Sequence, residues 1–142
     1  MDIRKIDDTI SVSPQIAVED VAEIARLGFK TLVANRPDHE EPGQPAMADI
    51  EKAAAEHGLK FVYLPVESGN VTDEDVDRFA PMIQDADKPV MAFCRSGTRC
   101  TILWALSSAR DLDLEEVVSR AYRAGYDIRG LAPRIIQQAE KH

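Results

Sequence analysis

The sequence has little of several features that would point to particular functions. Its 142 residues include two cysteines and three histidines, and 17 Lys and Arg against 25 Asp and Glu give a net charge of −8. It has no basic stripe suited to nucleic acid and no apolar run of membrane-spanning length. Because His39, His57 and His142 are scattered along the chain, the sequence predicts no metal site.

The start of the chain and its cysteine content indicate a compartment and a size class. Met1–Lys5 carries no apolar segment like that of a secretory signal. Two cysteines without such a segment are typical of a reducing environment, so we expect a cytoplasmic protein. A length of 142 residues suits one domain with a single core, and we expect it to span residues 1–142.

Apolar runs alternate with segments of helical periodicity through most of the chain. The runs indicate strands, at Thr9–Ser13, Phe29–Ala34, Lys60–Val66 and Pro89–Phe93. The other segments indicate helices, at Val18–Leu27, Ala46–His57, Thr72–Ala86, Thr101–Leu106, Leu114–Ala124 and Leu131–Glu140. This alternation predicts an α/β fold with a mainly parallel central sheet of four to five strands flanked by helices.

Three predicted loops follow strands of this sheet, namely Asn35–Pro45, Glu67–Val71 and Cys94–Arg99. Sites in parallel sheets lie at the carboxyl ends of the strands, so we expect these loops to meet. In the third loop, a cysteine and two arginines stand between a buried strand and a buried helix. Amides and the dipole at a helix N-terminus attract anions, and the same field lowers the pKa of a thiol.

This loop predicts a nucleophile at the base of an anion cradle. We assign catalysis to Cys94 and Arg99, and anion binding to the neighbouring residues Arg95, Ser96, Gly97, Thr98 and Cys100. Gly97 suits a tightly curled loop because glycine tolerates positive φ. The alternative is a structural cysteine beside a turn, which would need neither arginine.

Three motifs resemble those of the phosphatase-like domain of beta-lactamase-hydrolase-like proteins, a bacterial domain found alone or fused to a metallo-hydrolase. They lie at Ile10–Ile16, at Asn35–Asp38 with Gln44 and Pro45, and at Cys94–Arg99 with Leu103–Leu106. The resemblance extends to about Ala109. It implies a fold similar to that of dual-specificity cysteine phosphatases, and a loop similar to that of rhodanese sulfurtransferases.

Three functions fit this resemblance. A phosphatase would use Cys94 to attack a phosphate or similar anionic ester through a covalent intermediate. A sulfurtransferase would carry sulfane sulfur as a persulfide on the same residue. A non-catalytic anion-binding module would keep the arginines without depending on the thiol. Each implies a small anionic substrate or ligand, with no cofactor and no nucleic-acid or membrane partner.

The sequence departs from the phosphatase pattern at two places. Four residues separate Cys94 from Arg99, one fewer than in dual-specificity phosphatases, so that Cys100 occupies their arginine position. The position of their general acid falls near Asn70, which is not an acid. The possible substitutes are Asp38, Glu67 and Asp73, with Glu40 as a further carboxylate. For Asp73 a helix-start charge, and for Glu40 a solvated loop position, are the better interpretations. The fold and the family favour phosphate ester hydrolysis, whereas the loop length and the missing acid favour sulfur transfer. We predict hydrolysis of a phosphate or similar ester first, with sulfur transfer as the close alternative.

Other residues permit more than one interpretation. Arg36 reaches the bound anion or pairs with Asp38 to shape its loop. Cys100 is a small buried residue or a resolving thiol for Cys94. The C-terminal segment is cationic and aromatic, which is typical of a solvated face but also fits a wall of the substrate pocket or a partner surface. The residues concerned are Tyr122, Arg123, Tyr126, Arg129 and Arg134.

Overall fold

In the computed structural model, which describes residues 1–141, a five-stranded sheet forms the centre of the molecule. Its order is β1-β2-β5-β3-β4, with β1 antiparallel to β2 and the other pairs parallel. The predicted α/β fold with a mainly parallel sheet is confirmed. The strands are β1 (Arg4–Lys5), β2 (Ile10–Ser13), β3 (Thr31–Ala34), β4 (Lys60–Tyr63) and β5 (Val90–Phe93).

Six α-helices and one short 3₁₀ turn follow or connect these strands. Thr72 begins α3 with a capping box, because its side chain accepts from the Asp75 N–H and the Asp75 carboxylate accepts from the Thr72 N–H. The Asp113 side chain caps α5 by accepting from the Glu116 N–H alone. The helices are α1 (Asp20–Arg26), α2 (Met47–Glu56), α3 (Asp73–Asp85), α4 (Thr98–Ser108), α5 (Leu114–Arg123) and α6 (Ala132–Lys141), with the 3₁₀ turn at Arg129–Leu131.

Two apolar layers cover the two faces of the sheet. Val90 and Ala92 of β5 join a layer with residues of α3, α4, α5 and α6, while Met91 and Phe93 join a layer with residues of α1 and α2. Successive strand residues point to opposite faces, so a strand covered on both sides reads as a continuous apolar run. This explains why β5 could be recognised from composition.

The predicted boundaries differ from the observed ones at the ends of the elements. Sequence reasoning did not find β1, because a two-residue strand has no periodicity to detect. The strand predicted at Lys60–Val66 ends at Tyr63, although the Val66 N–H still donates to the Asn35 carbonyl, at 3.0 Å. The extended chain therefore continues past β4 and carries the Val66 carbonyl to the carboxyl edge of the sheet. No helix among residues 1–141 combines the length and apolar character needed to cross a bilayer.

Candidate active site

Cys94 lies directly after β5, at the carboxyl edge of the sheet, and is fully buried. The loop that it opens is fixed to the end of β2, because the Gln15 N–H donates to the Arg95 carbonyl at 3.2 Å. Gly97 ends the loop and is the N-cap residue of α4, with a φ of +89°. This left-handed conformation favours glycine, as the sequence predicted.

Tyr126 packs over Gly97 and holds the loop from outside. Its hydroxyl donates to the Ser96 carbonyl at 2.9 Å, and a Cβ added to Gly97 would lie 2.1 Å from the same oxygen. The Arg4 guanidinium lies 5.6 Å from the centre of the tyrosine ring, a distance that permits a cation–π contact. Burial raises the pKa of Tyr126 to about 12, so its hydroxyl remains a donor at neutral pH.

The surroundings of Cys94 stabilise a thiolate. The pKa of Cys94 is lowered to about 5, chiefly by the hydrogen bond from the Cys100 thiol, while burial opposes the shift. The Gly97 N–H also donates to Cys94 Sγ, at 3.1 Å, and Arg99 adds its positive charge. Burial and the neighbouring Cys94 raise the pKa of the fully buried Cys100 well above its usual value. The pair therefore consists of an ionised Cys94 and a protonated Cys100.

Arg99 forms a two-point ion pair with Glu40 from the loop after β3. Arg99 Nη1 and Nη2 donate to the two carboxylate oxygens at 2.7 and 2.8 Å, and Nη1 also donates to the Val66 carbonyl at 2.9 Å. These contacts join the loops after β3 and β5, and Ser68, Gly69 and Val71 of the remaining predicted loop line one cavity with Arg99, so the three predicted loops meet. Glu40 is an exposed loop residue, as the sequence predicted, but its carboxylate also binds a buried arginine, and the hydrogen bonds from Arg99 and Arg36 lower its pKa to about 2.

Arg36 also binds the Glu40 carboxylate. It is 2% exposed, and its Nε donates to Glu40 at 2.8 Å. Its other nitrogens donate to Gln15 and to Glu41, both at 3.1 Å. Arg36 therefore pairs with Glu40 and Glu41, and the predicted pair with Asp38 is wrong.

The carboxylates considered as general acids have other partners. Asp38 accepts from the Met47 N–H at 2.8 Å and so caps the first turn of α2. Asp73 accepts from Arg134 and Gln138 of α6, each at 3.1 Å, so the structure directs it toward that helix. Glu67 is exposed in the turn after β4. Glu40, with its low pKa, carries no proton to donate near neutral pH.

A cavity of about 560 Å³ lies beside the loop. Arg95, Ser96, Thr98 and Arg99 line it from the loop and from the first turn of α4, and Arg134 lines it from α6. The Ser96 hydroxyl donates to the Thr98 hydroxyl at 3.0 Å. None of the described residues that line the cavity is acidic. The lining is therefore cationic in a chain of net charge −8, while carboxylates outside it pair with its three arginines, namely Glu41, Glu40 and Asp73.

The structure thus brings most of the predicted residues together, but in different roles. Four of them line the cavity, Cys94 and Gly97 stand at the two ends of the loop, and Cys100 is buried in the first turn of α4, where it lowers the pKa of Cys94. Sequence reasoning missed the role of Glu40, and it left Tyr126 and Arg134 open within the C-terminal cationic segment. Within residues 1–141, no group of three or more His, Cys, Asp or Glu is placed to hold a metal ion.

The fold and this loop define a phosphatase-like α/β protein. A candidate phosphatase from Neisseria meningitidis has a similar crystal structure, with a TM-score of 0.85 and 36% identity over 97% of this chain and 99% of that one. The catalytic core of a PP-IP phosphatase from S. cerevisiae shares the fold at a TM-score of 0.70, with 16% identity over 96% of this chain and 84% of that one.

The sequence comparisons agree with the fold. The profile of the phosphatase-like domain of beta-lactamase hydrolase-like proteins matches residues 2–111. A beta-lactamase hydrolase-like protein of Xylella fastidiosa is 34% identical over 131 residues, which cover 90% of this chain and 30% of that protein. The chain belongs to this phosphatase-like domain family, and it spans less than a third of the length of the curated relatives it matches.

Proposed function

We propose that this chain is a cysteine-dependent hydrolase that acts on a phosphate or similar anionic ester. The observation that carries the proposal is the environment of Cys94 Sγ, which is buried, accepts from the Gly97 N–H at 3.1 Å, and opens a loop whose residues line a cationic cavity. An ionised thiol at this place is a nucleophile at neutral pH. The phosphatase-like family supports the same class of reaction.

The reaction has two steps. The Cys94 thiolate attacks phosphorus, the bond from phosphorus to the ester oxygen breaks, and that oxygen leaves with the electron pair. Loop N–H groups and Arg99 stabilise the charge on the other phosphate oxygens. Water then attacks the phosphocysteine, the P–S bond breaks, and phosphate and the thiolate are released. The proton lost by water goes to solvent or to the departed oxygen.

The lack of a free carboxylic acid among the candidate general acids determines which leaving groups we expect the protein to prefer. Asp38, Asp73 and Glu40 are each engaged with an amide or an arginine, so none of them is placed as a free acid. An ester oxygen of low basicity can leave without receiving a proton in the transition state. We therefore expect aryl phosphates and acid anhydrides to be hydrolysed much faster than alkyl phosphates.

The same observation favours sulfur transfer as a second candidate. In that reaction the thiolate attacks the outer sulfur of thiosulfate, the S–S bond breaks, and sulfite leaves with the electron pair. Cyanide then attacks the outer sulfur of the Cys94 persulfide, which gives thiocyanate and restores the thiolate. Neither step needs a general acid, and the short interval from Cys94 to Arg99 suits a small guest.

Two assays on three proteins test these proposals. The wild type, Cys94→Ser and Cys100→Ser are assayed with 4-nitrophenyl phosphate, and separately with thiosulfate and cyanide. We expect the phosphatase activity to be lost in Cys94→Ser, and to fall less in Cys100→Ser, which also removes one thiol but keeps a hydroxyl donor toward Cys94. Mass spectrometry after a quench identifies a phosphoryl adduct or an added sulfur on Cys94. Activity that survives in Cys94→Ser would contradict both proposals, and phosphate binding without either activity would indicate an anion-binding module.

A further inference from the structure

The cationic cavity extends well beyond the loop that would hold a phosphate. Arg95 and Arg99 belong to the loop and the first turn of α4, whereas Arg134 reaches the cavity from α6, the last helix. A volume of 560 Å³ lies within the range of about 300–1,000 Å³ that is typical of sites for whole small molecules. The cavity therefore has room for the organic part of an ester as well as its phosphate.

Arg134 is held in place without being neutralised. Its side chain is 35% exposed, and its Nη2 donates to Asp73 at 3.1 Å. Asp73 also accepts from Lys141 at 3.3 Å, so one carboxylate is shared between two cations. Within the described chain this is the only hydrogen bond that the Arg134 guanidinium donates, and its Nε and Nη1 remain available to a ligand.

The lining of the cavity is partly apolar. Val71, Ile102 and Leu131 line the cavity together with the arginines. Apolar lining with a few placed polar groups is the usual composition of a small-molecule site. An organic group that follows the phosphate would cover these side chains and extend toward Arg134.

We propose that Arg134 determines specificity by binding a second anionic group, so that the preferred substrates are phosphate monoesters whose organic part carries a further negative charge. This inference rests on the hydrolytic function proposed above. Asp73 is a positioning residue for Arg134 and takes no part in the chemistry.

A matched pair of substrates and a matched pair of variants test this inference. The substrates are 4-(carboxymethyl)phenyl phosphate and its methyl ester, which have similar leaving groups and differ in the second charge. Arg134→Gln removes the cavity cation. Lys141→Gln removes an equal charge from the same Asp73 carboxylate, but Lys141 does not line the cavity.

We expect the wild type to prefer the carboxylate substrate. Arg134→Gln should lower kcat/KM for that substrate about tenfold, mainly through KM, as the loss of one hydrogen-bonded charge contact predicts. The methyl ester and 4-nitrophenyl phosphate should change by less than about twofold, as should every substrate in Lys141→Gln. An equal loss on the acid and its ester, or an equal effect of the two variants, would overturn the inference while Cys94-dependent hydrolysis still stood. Absence of Cys94-dependent hydrolysis of any ester would instead overturn the proposed function and the inference with it.

Discussion

Glu40 and Arg99 join two loops that lie 59 positions apart in the sequence through a pair of hydrogen bonds of 2.8 and 2.7 Å. Two parallel N–H···O bonds fix the plane of a guanidinium as well as its distance. Because Arg36 binds the same carboxylate from below at 2.8 Å, Glu40 compensates two buried arginines. The orientation of Arg99 beside Cys94 is therefore set by a residue outside the loop Cys94–Arg99.

Replacing Glu40 tests this dependence. Glu40→Gln keeps the shape but removes the charge, and leaves two buried arginines undercompensated. We expect the free energy of unfolding to fall by about 3 kcal/mol, the range found when one partner of a buried pair is removed. Chemical denaturation measures this loss, and kcat/KM for 4-nitrophenyl phosphate should fall with it.

Glu41→Gln is the control for this substitution. Glu41 also contacts Arg36, at 3.1 Å, but its side chain is 42% exposed. Its loss should therefore change stability by less than about 1 kcal/mol. Equal effects of the two substitutions would show that the two-point pair with Arg99 does not hold the loop.

The pKa of Cys94 predicts the pH dependence of the reaction. The folded pKa of about 5 lies below the value of about 8.5 for a free thiol. The thiolate fraction, and with it kcat/KM, should rise as the pH increases through about 5 and then level off. By the same linkage, the contribution to stability is fully present above the unfolded pKa and is lost as the pH falls toward 5. The pH profiles of kcat/KM and of iodoacetamide alkylation measure the midpoint, and a midpoint near 8.5 would contradict the assignment.

Cys100 is the main cause of this low pKa, so its replacement should move the profile. Cys100→Ala removes the donor to Cys94 Sγ, and the midpoint of alkylation should rise toward that of a free thiol. Cys100→Ser retains a hydroxyl donor and should shift the midpoint less. Midpoints unchanged in both variants would show that the Gly97 N–H and Arg99 are sufficient to stabilise the thiolate.

Gly97 cannot accept a side chain for two separate reasons, its φ of +89° and the Tyr126 hydroxyl, which lies where a Cβ would project. Left-handed backbone strain alone costs roughly 1–2 kcal/mol. Gly97→Ala should therefore lower the free energy of unfolding by more than this amount. It should also abolish hydrolysis, because the loop must move.

Gly58→Ala provides the comparison, since Gly58 has φ +74° and no atom within 4 Å of the added Cβ. It is therefore subject to the backbone strain without the clash, and the difference between the two variants in denaturation experiments isolates the contact with Tyr126. If the two substitutions lower the free energy of unfolding equally, the Tyr126 side chain moves aside at no cost and does not constrain the loop.

Two substitutions of Asp38 distinguish a role as general acid from a role as cap of α2. Asp38→Asn removes the carboxylic acid but keeps an oxygen that accepts from the Met47 N–H. It should therefore leave kcat and its pH profile unchanged. Asp38→Ala also loses the cap and should lower stability by about 1 kcal/mol, as other N-terminal caps do. A large fall in kcat for Asp38→Asn with alkyl phosphates would identify Asp38 as the general acid after all.

Much of the fold and the centre of the site could be predicted, because both depend on local patterns. The run Val90–Phe93 is apolar on both faces, and Gly97 follows it where a tight turn must begin a helix. Parallel strands then bring the loops after β3, β4 and β5 to one edge. These inferences need only periodicity and the rule for strand ends.

The parts that could not be predicted depend on distant partners. Nothing in the local sequence of Glu40 distinguishes it from its neighbour Glu41, and only the packing of two loops gives it Arg99. Tyr126 and Arg134 lie in helical and turn segments whose pattern specifies which face is buried, but not which loop that face meets. A two-residue strand such as β1 forms because β2 is beside it.

Through its contact with Tyr126, Arg4 links the edge of the sheet to the loop that follows Cys94. Arg4 belongs to β1, the outermost strand, and also donates to the Ala124 carbonyl at 3.2 Å. A displacement of this rim would withdraw support from the tyrosine, and the tyrosine would release the Ser96 carbonyl. Under the proposed function, the position of the loop that follows Cys94 thus depends on an edge strand whose Arg4 does not line the cavity.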